Sequence, residues 1–407
     1  MKGAHMPRRG ATAASGGSGP RLTSRAVHIT TAHPGSDGRI ASRECSTLRD
    51  AGVEVTLVAR PPLSALAVES GVVLCPLPTS HSRMSRIAIA PWGAARKAWR
   101  FRPDLVHLHD PELIPVGLVL RLLGCRTIYD AHEDLPAQVR DKHWIPKRLR
   151  GSVAGGARVL ELLAGWGMTA VVAATPSIAK KYPEGRVTVV GNMPRLEDFP
   201  LEAIGDRVPR AIYVGGLDEA RGAFQLVAAA ERLPPGSLVL VGTIDPPELL
   251  EELKKRPGWA NIDYRGQCSH SESSALQRRS LIGLVTFLPR ENHVEALPTK
   301  LFEYMASGLA VVASDFPIWR RIVCDAECGI LVDPEDPASI ASAVLTLIAD
   351  GQKAAKMGTH GRQAVEGGLN WRTEGERLVR LYRRLLQAGS STGISVSHED
   401  SGSNADR

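Results

Sequence analysis

Apolar positions along this chain follow two rhythms. Short β-branched or aliphatic runs at 26–30, 54–59, 104–109, 126–130 and 170–174 are bounded by polar or glycine-bearing turns, and such runs predict strands. Between them lie longer stretches with helical spacing, the first running from a turn at 33–38 to Asp50. Alternation of this kind predicts a parallel sheet with helices on both faces. After a loop-like stretch at 191–208 the rhythm restarts, with strands expected at 211–214, 237–241, 262–265, 281–287 and 310–313. A last stretch, 371–387, spaces Leu378, Leu381, Tyr382 and Leu385 as one helix face. The expectation is an α/β protein of two similar domains, 25–190 and 209–370, joined by a linker at 191–208. A closing helix at 371–388 is expected to pack back toward the first domain. No internal sequence repeat is visible. The ends, 1–24 and 389–407, are small and polar and are expected to be disordered.

Composition narrows the class. Apolar residues make up 43% of 407 residues, enough for ordinary cores. No run reaches the ~18 apolar residues that cross a bilayer. The N-terminus lacks the apolar segment of a secretory signal, so a cytoplasmic protein is expected. The six cysteines follow neither a zinc pattern nor a disulfide framework and read as buried free thiols. A formal charge of +7 favours anionic partners without choosing among them. The segment 81–102 carries Arg83, Arg86, Arg96, Lys97, Arg100 and Arg102 around Trp92 and Trp99. The segment 140–150 carries Lys142, Lys147, Arg148 and Arg150 with Trp144. Such segments can rest on anionic lipid or be plain solvated surface. No nucleic-acid partner is expected.

Four stretches carry candidate chemistry. The first, 295–303, reads E-A-L-P-T-K-L-F-E and continues to Gly308. Pro298 suits a helix start and Gly308 a helix stop, which puts Glu295 just before the helix and Glu303 near its middle. A helix start with Lys300 nearby can seat a diphosphate. A carboxylate such as Glu303 can accept from the two hydroxyls of a ribose. Taken alone, the same spacing also fits an amphipathic helix with two solvated glutamates. The second stretch, 213–222, ends a strand in Gly215 and Gly216, and Arg221 follows in what reads as the first turn of the next helix. Glycines let backbone approach a phosphate and an arginine can neutralise it; an ordinary turn is the alternative. In the third, His132 lies just beyond a strand, where open α/β sheets bind ligands. His109 ends the preceding strand. The fourth, 34–40, is a loop with Gly35, Asp37, Gly38 and Arg39. It lacks the G-x-G-x-x-G dinucleotide fingerprint.

Together these stretches resemble the retaining "group 1" (family 4-like) glycosyltransferases with the GT-B fold, in which two Rossmann-like domains face a central cleft. The resemblance spans about 25–388, and 295–303 is its most specific part. The run 308–315 is similar to the strand that follows that segment in the family. It implies that Glu295 and His132 face the transferred sugar as catalytic residues. It implies donor contacts from Gly215, Gly216, Arg221, Leu297, Pro298, Thr299, Lys300 and Glu303, with Glu303 on the ribose. The acceptor side would carry Gly35, Asp37, Arg39 and His109. Two departures stand out. Gly216 occupies the place of the family's arginine, which leaves Lys300 as a possible second phosphate cation. Pro298 stands where many relatives use a glycine amide, so that contact falls to Thr299 or Lys300.

The resemblance further implies a metal-independent transfer that retains configuration, with no bound cofactor. The co-substrate would be a UDP- or GDP-linked sugar. The acceptor would be a glycan, a lipid-linked intermediate or a small molecule, and 81–102 and 140–150 would give any peripheral contact with an anionic membrane. Two alternatives remain. A sugar-nucleotide epimerase of the same fold would lack the spaced glutamates. A non-catalytic sugar-nucleotide-binding protein would show a damaged site.

Overall fold

Two all-parallel sheets organise the chain. The computed structural model describes residues 24–61, 72–78, 83–141, 145–201 and 207–387. Apart from Ser24, both tails lie outside them. So do His81, Lys142, Trp144 and residues 202–206 of the expected linker.

The first sheet holds β1 (Arg25–Pro34), β2 (Glu54–Arg60), β3 (Val73–Pro76), β4 (Leu105–Leu108), β5 (Arg126–Ala131), β6 (Ala170–Ala173) and β7 (Val187–Val189), in the order β3-β2-β1-β4-β5-β6-β7. The second holds β8 (Val208–Val214), β9 (Leu238–Val241), β10 (Ile262–Gly266), β11 (Ser280–Val285), β12 (Ala310–Ser314) and β13 (Gly329–Val332), in the order β10-β9-β8-β11-β12-β13. In each sheet the order reverses once, at β1/β4 and at β8/β11, and ligands of open α/β sheets bind beyond such points.

Central strands buried on both faces read as continuous apolar runs, which is why the sequence shows them. Three strands escaped the reading. β3, β7 and β13 lie at sheet edges, are three or four residues long and are mostly half-buried, so they carry little apolar signal. The first helical stretch is a π-type turn, Gly38–Cys45, running into Ser46–Asp50. The closing helix is Trp371–Gln387. Its Leu378, Leu381, Tyr382 and Leu386 join Ala26, Ile40 and Leu57 in one buried cluster of the first sheet. Trp371 Nε1 donates to Thr47 Oγ1 at 2.8 Å, and the Gly191 amide donates to Glu374 at 2.8 Å. All six cysteines are unpaired; Cys45, Cys125 and Cys328 are buried, but Cys324 is exposed at the end of helix Pro317–Asp325, against the expectation of uniform burial.

Candidate functional site

A cleft of about 490 Å³ opens between the strand ends of the two sheets. The first sheet contributes His132 and the turn from Ala174 to Lys181. The second contributes Arg221, Phe287 and the run 291–300. His132, Glu295, Leu297, Pro298, Thr299, Lys300 and Arg221 thus share one wall set.

Helix Thr299–Ala306 anchors the site. Pro298 is its cap rather than a first-turn residue, with extended backbone, and Gly308 ends the helix at φ +68°. Leu301, Phe302, Tyr304 and Met305 are buried. Tyr304 accepts the Val214 amide through its hydroxyl at 2.8 Å, and its ring fills the space that a Cβ on Gly283 would need. Upstream, Trp319 Nε1 donates to the Ala296 carbonyl at 2.7 Å, and the indole packs edge-on against Phe287 and Phe316. Trp319 therefore fixes the loop that carries Glu295, which is itself exposed to the cleft.

Arg221 lies on a 3-10 turn, Glu219–Arg221, ahead of helix Ala223–Ala230 rather than within it. Gly222 joins the two at φ +82°, and a Cβ there would come 2.5 Å from the Thr286 carbonyl, so glycine is required. Arg221 folds back and donates to the Gly216 carbonyl at 2.9 Å. A Cβ on Gly216 would stand 3.1 Å from that guanidinium, so Arg221 occupies the space of a side chain at 216. Gly215, at φ +116°, makes room for Lys300: a Cβ there would lie 2.7 Å from Nζ. Lys300 Nζ also sits 5.4 Å over the Tyr213 ring. Burial and the Arg221 charge pull the Lys300 amine down to about 8, against weaker opposite pulls from Glu303 and Asp218. Gly215 and Gly216 shape the floor under these two cations. Glu303 is half-buried at mid-helix, within electrostatic reach of Lys300 and of Arg43. No motif marked Arg43 in the sequence.

The residues expected on the acceptor side are not brought into the cleft. Gly35 packs on Leu74 and donates to the Arg60 carbonyl at 2.8 Å. Asp37 caps the turn Gly38–Cys45, accepting from the Arg39 and Ile40 amides at 2.9 Å. Burial alone would raise its carboxyl, but His33 and those amides outweigh it and hold it low. Arg39 is buried between Glu44 at 3.0 Å and Asp130 at 3.2 Å. His109 is fully enclosed, with His28 and His107 beside it.

These groups form a polar core that sequence reading missed. His107 and His109 alternate onto one face of the chain at β4, His28 pairs with His107 across β1/β4, and Asp130 sits on β5. The period-two spacings His107/His109 and Asp130/His132 were the available signal. His28, Glu44, His107 and His109 approach closely enough to hold a metal ion, as do His109, Asp130 and His132. Arg39 already supplies the positive partner of both carboxylates, which disfavours a second buried cation.

The 4-like glycosyl transferase domain model matches residues 38–193, and the group 1 glycosyl transferase model matches 194–364. A phosphatidyl-myo-inositol mannosyltransferase of Mycolicibacterium smegmatis is 26% identical over 365 residues, 86% of this chain and 90% of its own length. An alpha-maltose-1-phosphate synthase of the same organism is 30% identical over 186 residues, 44% of this chain and 48% of its own. Among solved structures, a sucrose-phosphate synthase from Thermosynechococcus elongatus is similar at a TM-score of 0.71 and 19% identity, covering 90% of this chain and 100% of that one. The Anabaena protein HepE in complex with UDP is similar at 0.66 and 16%, covering 89% and 100%.

Proposed function

Because the chain belongs to the group 1 glycosyltransferases of GT-B fold, we propose that it moves a sugar from a nucleoside diphosphate donor to an acceptor hydroxyl, with retention of configuration and without a metal ion. The observation that carries this reading is the convergence of Lys300 and Arg221 over the Gly215–Gly216 turn, at the start of helix Thr299–Ala306. Two cations and a helix start in a partly enclosed space favour an anion. A diphosphate leaving group gains charge as the glycosidic bond lengthens, and fixed positive groups stabilise that change most. Glu295 and His132 line the same cleft and would hold the sugar, which accepts the new hydroxyl from the side the diphosphate leaves.

Mannose is the first sugar to test, since the relative matched over most of both lengths is a mannosyltransferase. A lipid-linked acceptor fits the outer surface of the first half. Trp92 and Trp99 are exposed beside the basic residues of 81–102. Helix Lys147–Gly167 begins in the basic segment 140–150 and turns Leu149, Val153, Val159, Leu163 and Trp166 outward. We propose this surface as the peripheral membrane contact. Among the described residues no helix is long and apolar enough to cross a membrane.

The test is release of nucleoside diphosphate from a panel of UDP- and GDP-sugars with a membrane-lipid acceptor, with and without excess EDTA. Turnover of one donor, undiminished by EDTA, is expected. Turnover that EDTA abolishes and manganese restores would overturn the metal-free step; turnover of none would overturn the reading. Within the same site, Glu303→Ala should weaken nucleoside diphosphate binding by about 1.5–3 kcal/mol, the usual contribution of a hydrogen bond to a charged group. Titration calorimetry reads this directly, and unchanged affinity would remove Glu303 from the ribose.

A further inference from the structure

The transfer reading uses His132 but leaves the buried chain behind it unexplained. Tyr382, on the closing helix, places its hydroxyl 2.9 Å from His107 Nδ1 and 3.0 Å from His28 Nε2. His28 Nδ1 lies 2.9 Å from His109 Nε2, and His109 Nδ1 lies 3.2 Å from Asp130 Oδ2. Asp130 Oδ1 lies 3.5 Å from His132 Nδ1 and 3.2 Å from Arg39. The His109 and His132 rings stack at 5.7 Å, 10° from parallel. Every group in this chain but His132 is fully or almost fully enclosed.

With one proton on each imidazole, and with the two ring nitrogens nearest the Asp130 carboxylate, His109 Nδ1 and His132 Nδ1, turning N–H rather than a lone pair toward it, these contacts take one arrangement. Burial alone would raise the Asp130 carboxyl, but Arg39, His132 and His109 together outweigh it and hold it well below the usual range, so Asp130 only accepts. His109 must then carry its proton on Nδ1 and accept on Nε2. His28 must donate to it from Nδ1 and accept at Nε2 from the tyrosine O–H. The tyrosine oxygen is left to accept from His107 Nδ1–H. His107 Nε2 is then a bare lone pair, and it has no hydrogen-bond partner. Burial lowers His28 and His107 well below the usual imidazole range, and lowers His132 to about 4, which keeps these rings neutral. By the same logic His132 turns its Nδ1–H toward Asp130. Its Nε2 is a bare acceptor, closed to solvent and without a partner, on a ring that lines the cleft.

We infer that Asp130 is a positioning residue that fixes His132 in the Nδ1–H tautomer, with His109, His28 and Tyr382 holding the Asp130 carboxylate in place, so that Nε2 of His132 accepts a hydrogen bond from a substrate hydroxyl and does not donate one. The part that concerns a substrate hydroxyl rests on the transferase reading above; the tautomer does not. A wrong tautomer would present an N–H where a hydroxyl proton must be received, and an orienting carboxylate beside a histidine is an effective way to prevent that.

The experiment is ¹⁵N NMR of the histidine rings in the ligand-free protein, paired with steady-state kinetics. In the wild type, His132 should show a protonated Nδ1 and an unprotonated Nε2. Asp130→Asn should shift that population toward Nε2–H and lower kcat by about 100-fold, the scale of a misplaced reacting group, with the donor KM changed far less. Tyr382→Phe keeps the ring and removes the hydroxyl that joins His28 to His107. It should free the His28 tautomer, loosen the seat of the Asp130 carboxylate and lower kcat about tenfold, the loss of one hydrogen bond, while His132 stays protonated at Nδ1. If Asp130→Asn fails to fold, the wild-type His132 spectrum decides. An Nε2–H tautomer in the wild type, or a His132 signature that Asp130→Asn does not move, would overturn the inference. If the tautomers behave as stated but no nucleotide sugar is turned over, the transferase reading fails and the positioning chain stands.

Discussion

Alanine at both Arg221 and Lys300 is expected to remove almost all transfer while leaving the fold intact. Each single change should cost about 10²-fold in kcat, the scale for losing one fixed donor to developing negative charge. Both should act more on kcat/KM than on binding of the intact donor, because the leaving diphosphate carries more charge in the transition state than in the intact donor. Their free-energy effects should not add, since both cations address one anion over one pair of glycines. Strict additivity, or a silent Lys300→Ala, would place Lys300 outside the site. A pH dependence follows as well. The Lys300 amine titrates near 8 because burial and Arg221 disfavour its charged form. A diphosphate binds the protonated form, so affinity should fall as pH rises through 8, and this fall should vanish in Lys300→Ala. Titration calorimetry from pH 7 to 9.5 checks both statements.

The second large effect is on stability. Trp319 is fully enclosed, packs against Phe287 and Phe316 and holds the Ala296 carbonyl. Trp319→Ala should destabilise the protein by about 3–5 kcal/mol in chemical denaturation, the range for emptying a buried aromatic site. The Glu295 loop loses its tether at the same time, so the donor KM should rise even where the variant is folded. Trp319→Phe keeps most of the packing and loses the indole donor. It should cost about 0.5–1.5 kcal/mol, the net contribution of one hydrogen bond. If Trp319→Ala leaves both stability and KM unchanged, the loop is held by something else.

What the sequence revealed follows from these contacts. The central strands were visible because burial on both faces makes them uninterrupted apolar runs, while the short edge strands β3, β7 and β13 carry no such run. The segment around Glu295 and Glu303 was visible because a helix start and stop bracket charged residues at fixed offsets. The use of Gly215 and Gly216 was half visible. Paired glycines announced a close approach, but not that the approaching groups are Lys300 and Arg221 from the same domain. The loop 34–40 was ambiguous because capping and binding use the same residue types: Asp37 satisfies the helix start and Arg39 is held by Glu44 and Asp130. The histidine core was illegible as a unit. Tyr382 lies 275 residues from His107, and only packing of the closing helix brings them together.

The proposed seat of the nucleoside diphosphate lies between the Gly215–Gly216 turn and the start of helix Thr299–Ala306. Amide hydrogen exchange on the wild-type protein, with and without saturating GDP or UDP, tests it most directly. One of the two nucleotides is expected to slow exchange at 214–222 and 295–304, with a smaller effect at 130–134. No change with either nucleotide, or protection that leaves both of the first two segments untouched, would contradict it.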